Sequence, residues 1–156
     1  MNVKYINPFL KATSDIVTQV LGTMPAFEKA YVKDTPVNSQ EELLIIIGVT
    51  GEMNGKVIIN IDKVSCVNIA SQMMGGMDVE FNELSKSAVS ELCNMILGTT
   101  ATLFANQGIA INITSPTVLE GSNIVITQKE QMICVPVNIF EGAKITINIS
   151  AEKRAA

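Results

Sequence analysis

The run Ser87-Ala88-Val89-Ser90-Glu91-Leu92-Cys93-Asn94 carries a carboxylate and a carboxamide three positions apart, with a serine one turn earlier. On a helix, at roughly 100° per residue, Ser87, Glu91, Asn94 and Gly98 fall within an arc of about 60°. Ala88, Leu92, Met95 and Ile96 take the far side and can pin the helix to a core. The chemistry open to such a face is narrow. An amide offers both a donor and an acceptor, so Asn94 could hold a water molecule in line with a bond under attack without accepting a proton. A carboxylate is a poor base at neutral pH but makes charge-assisted bonds to cations, which suits Glu91 to docking and orientation. Such a pair is a candidate tool for handling a phosphoryl group carried by another protein.

A polar stripe on a helix is ordinarily its solvated side. This one continues through Gly98, Ala101 and Ala105, leaving little bulk where another molecule could approach, and it lacks the lysine and glutamate usual on solvated faces beyond Glu91 itself.

The elements that must position this face emerge from an internal repeat. Residues 14–23, SDIVTQVLGT, overlay residues 90–99, SELCNMILGT, and Lys56-Val-Ile-Ile-Asn-Ile-Asp62 overlays Lys144-Ile-Thr-Ile-Asn-Ile-Ser150. Between them, Thr35-Pro36 corresponds to Ser115-Pro116. Each unit reads as a long helix followed by three strands, giving one domain over 1–156 with pseudo-repeats at about 5–76 and 77–156. The first has a helix from Pro8 to Gly22 and strands at Ala26–Lys33, Glu42–Val49 and Gly55–Ile61, with GEMNG as the hairpin turn. Asp62 caps a shorter helix from Lys63 to Met74 that stops at Gly75-Gly76. In the second, Asn82 or Asp78 starts a helix running to about Asn106, followed by strands at Ile109–Thr114, Asn123–Thr127, Gln131–Phe140 and Ala143–Ile149. Alternation of Ile109, Ile111 and Ile113 with Ala110, Asn112 and Thr114 predicts a sheet with one wet and one dry face. The predicted class is α+β, with two long helices on a mostly antiparallel sheet. The first helix places Lys11, Asp15 and Thr18 opposite Ser87, Glu91 and Asn94, so only the second unit holds the acid–amide pair.

Composition narrows the alternatives. A 156-residue chain buries about two-thirds of its unfolded surface and needs no metal or disulfide staple. The chain contains no histidine, which removes the usual general base, any serine–histidine triad and the commonest zinc ligand. Net charge is −4 and aromatics are scarce, arguing against nucleic acid as a partner. Cys66, Cys93 and Cys134 lie far apart without CxxC spacing and read as reduced, buried small hydrophobes. With no leader-like N-terminus and no uncharged apolar run of 18 residues, no membrane is expected and the cytoplasm is the expected location.

The pattern Ser87-x3-Glu91-x2-Asn94, followed after 21 intervening residues by Pro116, resembles the signature of the CheC/CheX/FliY phosphatases of bacterial chemotaxis. The likeness extends over nearly the whole chain, and the single intact motif in the second unit looks most like the CheX branch. The resemblance implies a CheC-like fold. It also implies that the substrate is a phosphorylated CheY-type response regulator whose aspartyl phosphate is hydrolysed. Glu91 and Asn94 are then the catalytic positions, with Ser87 and Pro116 as supporting motif positions and Gly98 and Ala101 in the partner-contact stripe. No cofactor of its own is implied, with Mg2+ expected in the partner, and a homodimer built by sheet pairing is expected. Strands near Glu42–Val49 and Gln131–Phe140 are compatible with its edge. Ser87 could support the site's backbone or simply be a small residue near the helix start, and Pro116 is expected to shape its loop rather than touch phosphate. The rival from another class is a non-catalytic adaptor that grips a receiver domain; a motor-associated structural module is a third, weakened by the lack of a further domain.

Overall fold

A computed structural model describes residues 3–34, 37–38 and 42–154, so Thr35-Pro36 of the repeat lies outside the described residues. A short 3-10 turn (Val3–Tyr5) leads into helix α1 (Asn7–Leu21), which Gly22 ends with a left-handed φ of 71°. Strands β1 (Ala26–Phe27), β2 (Tyr31–Lys33), β3 (Val37–Asn38), β4 (Glu42–Gly51) and β5 (Met53–Asp62) follow, then helix α2 (Lys63–Met73). The second half repeats the plan with α3 (Glu83–Asn106), β6 (Ile111–Ile113), β7 (Thr117–Gly121), β8 (Ile124–Val125), β9 (Met132–Phe140) and β10 (Ala143–Lys153).

All pairings are antiparallel. The main sheet runs β1/β2–β9–β10–β5–β4–β6/β7, and β3 pairs with β8 beside it. The order reads the same from either edge once each strand is exchanged for its counterpart in the other half. The two segments with matching sequence, in β5 and β10, are the central neighbours, in register at Ile61↔Ile145, Ile59↔Ile147 and Val57↔Ile149. Each half lends its first strands to the other half's side of the sheet. At the centre Gly55 lies so close to β10 that a Cβ would sit 1.7 Å from the Ser150 carbonyl oxygen, a position only glycine can fill.

One face of the sheet carries the helices. Phe9, Ala12, Ile16 and Val17 of α1 and Val89, Leu92, Ile96 and Phe104 of α3 meet Ile45, Ile59, Ile147 and Val135 in one core, and the Phe9 and Phe104 rings meet edge to face at 5.7 Å. The other face holds a small apolar cluster of Leu44, Ile58, Met132 and Cys134. Beside it, the buried Asn148 amide donates to the Ile58 carbonyl and to Asn60 Oδ1 at 2.7 and 2.9 Å. Helix α3 is long and apolar enough to cross a membrane by length and composition, with a mean hydropathy of 1.2. Its apolar side is instead spent on this core.

Several boundaries differ from the sequence expectation. The strand predicted over Ala26–Lys33 is two pieces, because Phe27 pairs with Val137 and Tyr31 with Cys134, one residue out of step. The break faces Pro136, whose carbonyl still accepts from the Glu28 N–H at 2.9 Å but whose ring nitrogen has no hydrogen to return. GEMNG is not all turn: Gly51 pairs with Ile111 and Met53 with Lys153, leaving Glu52 alone at the bend. For the same reason β10 runs four residues beyond the predicted Ile149, to Lys153. Strand β7 was absent from the sequence reading, which instead placed a longer strand around β8. The strands proposed as a dimer edge, β4 and β9, are both interior; the edges are β1/β2 and β6/β7.

Candidate functional site

The start of α3 is fixed by Asn82 rather than Asp78. Asn82 Oδ1 accepts from the Leu84 and Ser85 N–H groups, both at 3.1 Å, while Ser85 Oγ accepts from the Asn82 N–H at 3.0 Å, a capping box with serine in the returning role. This sets the rotation of the whole helix. Ser85, Val89, Leu92, Cys93, Ile96 and Leu97 are buried, Ser87 and Glu91 are exposed, and Asn94, Gly98 and Ala101 are partly covered along the same outward stripe.

Ser87 and Glu91 look onto a groove of about 360 Å³ between α3 and β7, whose other lining residues include Ser90, Pro116, Val118 and Glu120. The chain after α3 turns back through β6, and the segment that follows it brings Pro116 to the groove just before β7 begins. Ser87, Glu91 and Pro116 are thus brought together. Asn94 does not line the groove; it lies one turn further along α3, where the stripe narrows to Gly98 and Ala101. Among the described residues the side chains of Glu91 and Asn94 make no hydrogen bond or ion pair, so both are available to an incoming molecule. A Cβ added at Gly98 would meet nothing within 4 Å, so the fold itself makes no demand for glycine there.

Four groove residues were invisible to motif reasoning: Glu83, Lys86, Val118 and Glu120. Lys86 Nζ stands 2.6 Å from Glu83 Oε1 and 2.8 Å from Glu120 Oε2, and these two bonds, Glu120's foremost, hold its ammonium above the ordinary lysine pKa. Ser90 also lines the groove, one helical turn from Ser87, and its spacing could have revealed it.

The corresponding face of α1 is closed upon itself. Asp15 is paired with Lys11 at 3.2 Å, and the Ser14 and Thr18 hydroxyls lie 3.3 and 3.9 Å from the Met24 sulfur. A cavity of about 810 Å³ lies near the end of α1, lined by Met24, Lys63, Ser65 and Phe140 among others, and neither Glu91 nor Asn94 lines it. Among the described residues no group of three or more Cys, Asp or Glu side chains is placed to hold a metal ion. Cys66, Cys93 and Cys134 are free and buried, and burial pushes the Cys66 and Cys93 thiols up to about 11 and about 12, so they remain protonated and unreactive near neutrality.

A repeated helix-and-strand unit on one antiparallel sheet places this chain among proteins of CheC-like fold. Residues 43–139 match the family model described as chemotaxis phosphatase CheX, and the chain belongs to that family. The CheY-P phosphatase CheX of Thermotoga maritima is 27% identical over 153 residues, covering 97% of this chain and 98% of that protein. A CheC-like superfamily protein from Shewanella sp. PV-4 superposes with a TM-score of 0.83 at 26% identity, covering 97% of this chain and 99% of the other. A CheX–CheY–BeF3–Mg2+ complex from Borrelia burgdorferi superposes with a TM-score of 0.73 at 26% identity, over 96% and 98% of the two chains.

Proposed function

We propose that this protein is a phosphatase for a phosphorylated CheY-type response regulator, hydrolysing the regulator's aspartyl phosphate with Glu91 and Asn94 of α3. The observation that carries the assignment is the pair itself: an exposed carboxylate and a partly covered amide on one helix, neither engaged among the described residues, beside the groove between α3 and β7. Family membership and the phosphatase relative support the reaction class, and the solved complex of a relative with CheY supports the partner.

The acyl phosphate is already activated, so the chain has to supply position rather than a strong base. Asn94 Oδ1 accepts a hydrogen bond from the attacking water and its Nδ2 donates to a phosphoryl oxygen, which holds the water in line with the bond to the aspartate. As water's oxygen bonds to phosphorus, that bond breaks and the regulator's carboxylate leaves with the electron pair; the water's proton passes to the departing phosphate. Glu91 pairs with a cationic side chain beside the phosphoacceptor and orients the complex. Pro116 and Ser87 shape the groove wall and its floor. A divalent cation held by the regulator, Mg2+ by analogy with the relative's complex, would supply charge balance for the phosphoryl group, and this chain is not asked to hold it. The reaction belongs in a reducing cytoplasm, where the three thiols persist. We place the homodimer contact on the β1/β2 edge, where Val32 is exposed, because the β6/β7 edge borders the groove.

The test is phosphate release from phosphorylated receiver and Mg2+ with and without the protein. Faster release supports catalysis. An unchanged or lengthened half-life would make the chain an adaptor that grips the receiver without acting on it.

A further inference from the structure

Strand β7, one wall of the site, lies at the edge of the sheet. Among the described residues its strand partner is β4, from Thr117↔Ile46 to Gly121↔Glu42, and Val118 and Glu120, alternate residues on one face, line the groove. The strand's residues are mostly exposed, so little apolar burial holds it in place. Among the described residues, the ion pair that crosses from α3 to β7 is the bond from Lys86 Nζ to Glu120 Oε2 at 2.8 Å. Lys86 is unusual for a lysine: its side chain is only 16% exposed, and its ammonium stands 5.6 Å from the centre of the Phe81 ring. Glu83, its second partner, is 91% exposed and lies on the same helix, so that contact is screened by solvent and ties nothing across the groove.

We infer that the Lys86–Glu120 ion pair is a positioning clamp that fastens the edge strand β7 to α3 and so sets the distance between Glu91 and the Pro116 wall. The clamp has a second effect. Lys86 lines the same groove as Glu91, and an unattached ammonium there would compete with the partner's cation for the Glu91 carboxylate. Bound to Glu120, Lys86 is kept from that competition. Both effects act on recognition of the phosphorylated receiver before chemistry, since Asn94 lies about two helical turns beyond Lys86 on α3.

This rests on the phosphatase reading, and the experiment separates the two. Glu120→Gln, Lys86→Met and Lys86→Arg are compared with the parent by steady-state hydrolysis of the phosphorylated receiver. Amide hydrogen exchange over Thr117–Gly121 is followed in the protein alone. The clamp predicts that Glu120→Gln and Lys86→Met raise KM about fivefold with kcat changed by less than about twofold. They also speed exchange in β7, and Lys86→Arg, which keeps charge and reach, recovers the parent KM. Unchanged KM and exchange in both variants, or a fall in kcat with KM unaltered, overturns it. A parent protein that leaves the receiver's half-life unchanged sinks the hydrolytic reading instead, and the exchange measurement, which needs no partner, then decides the clamp by itself.

Discussion

Leu21-Gly22-Thr23 and Leu97-Gly98-Thr99 are the same tripeptide with opposite fates. Gly22 turns left-handed, donates its N–H to the Thr18 carbonyl at 3.0 Å and ends α1; Gly98 stays helical, and α3 runs on to Asn106. The residues that follow decide. Pro25 lies three positions past Gly22 and cannot continue a helix. Past Gly98 come Thr100, whose hydroxyl bonds back to the Ile96 carbonyl at 2.8 Å, and Phe104, which is fully buried against Phe9. The longer helix thereby presents a bare glycine within an outward face, below an open acid and amide. On the shorter helix Met24 folds back over Ser14 and Thr18, and Asp15 is taken by Lys11. The two corresponding helices share the core, and only α3 leaves its acid and amide without partners among the described residues.

If both helices are equal as scaffold, truncating either ring of their shared contact should cost about the same. Phe9→Ala and Phe104→Ala are each expected to lower the unfolding free energy by about 3–5 kcal/mol, the usual loss for a buried phenylalanine. Urea denaturation measures this. A loss below about 1 kcal/mol for Phe9→Ala would show that α1 is merely appended to the core.

Function should divide where structure does not. Asn94→Ala is expected to slow receiver dephosphorylation about a hundredfold while leaving complex formation intact, as loss of one water-positioning contact does. Thr18→Ala, on the corresponding face of α1, should leave turnover at the parent value. Single-turnover decay of the phosphorylated receiver, with binding followed separately, distinguishes these outcomes; equal slowing by both would make the two faces equivalent after all.

The comparison also marks what could be seen in the sequence. Both long helices, the Asp62 cap and the central strands were legible, with Asn82 one of two candidate starts for α3, because burial imposes periodicity and caps impose residue type at a fixed place. The acid–amide face was legible for the same reason. Strand β7 was not: an exposed edge strand has no dry face, so Thr117–Gly121 shows no alternation, and Pro116 and Gly121 at its ends read as loop. With β7 hidden, Glu120 and its bond to Lys86 were hidden too, since a contact across 34 residues leaves no local trace. The break opposite Pro136 was equally out of reach, because it is caused by a missing hydrogen on another strand. Interior strands β4 and β9 each have a hairpin partner next in sequence, β5 and β10, but their second neighbours, β6/β7 and β1/β2, come from the other half of the chain, so their interior place leaves no local trace.

Gly98 sharpens the contrast at a smaller scale. A methyl there meets nothing within the chain, so Gly98→Ala should raise stability by about 0.5–1 kcal/mol through helix propensity alone. The same methyl stands on the face a partner must approach, so affinity for the phosphorylated receiver should fall. Thermal unfolding and a binding titration on one preparation give both numbers. A variant that is more stable and binds as well as the parent would remove the small-residue stripe from the contact surface.

The smallest effect tests whether the α1 face is inert or only occupied. Lys11 and Asp15 form an exposed pair four residues apart, with the lysine on the N-terminal side, the less favourable order against the helix dipole. Lys11→Ala should therefore cost only about 0.3–0.5 kcal/mol in urea unfolding, and less at high salt. It also strips Asp15 of its partner and leaves a carboxylate facing solvent, in the place that Glu91 holds on α3. Turnover should nevertheless stay at the parent rate, because Thr18 cannot present the planar donor and acceptor that hold a water, and Met24 still lies over it. Activity that survives Asn94→Ala in the Lys11→Ala background, beyond that of Asn94→Ala alone, would mean that the ion pair and not the missing amide silences the first helix.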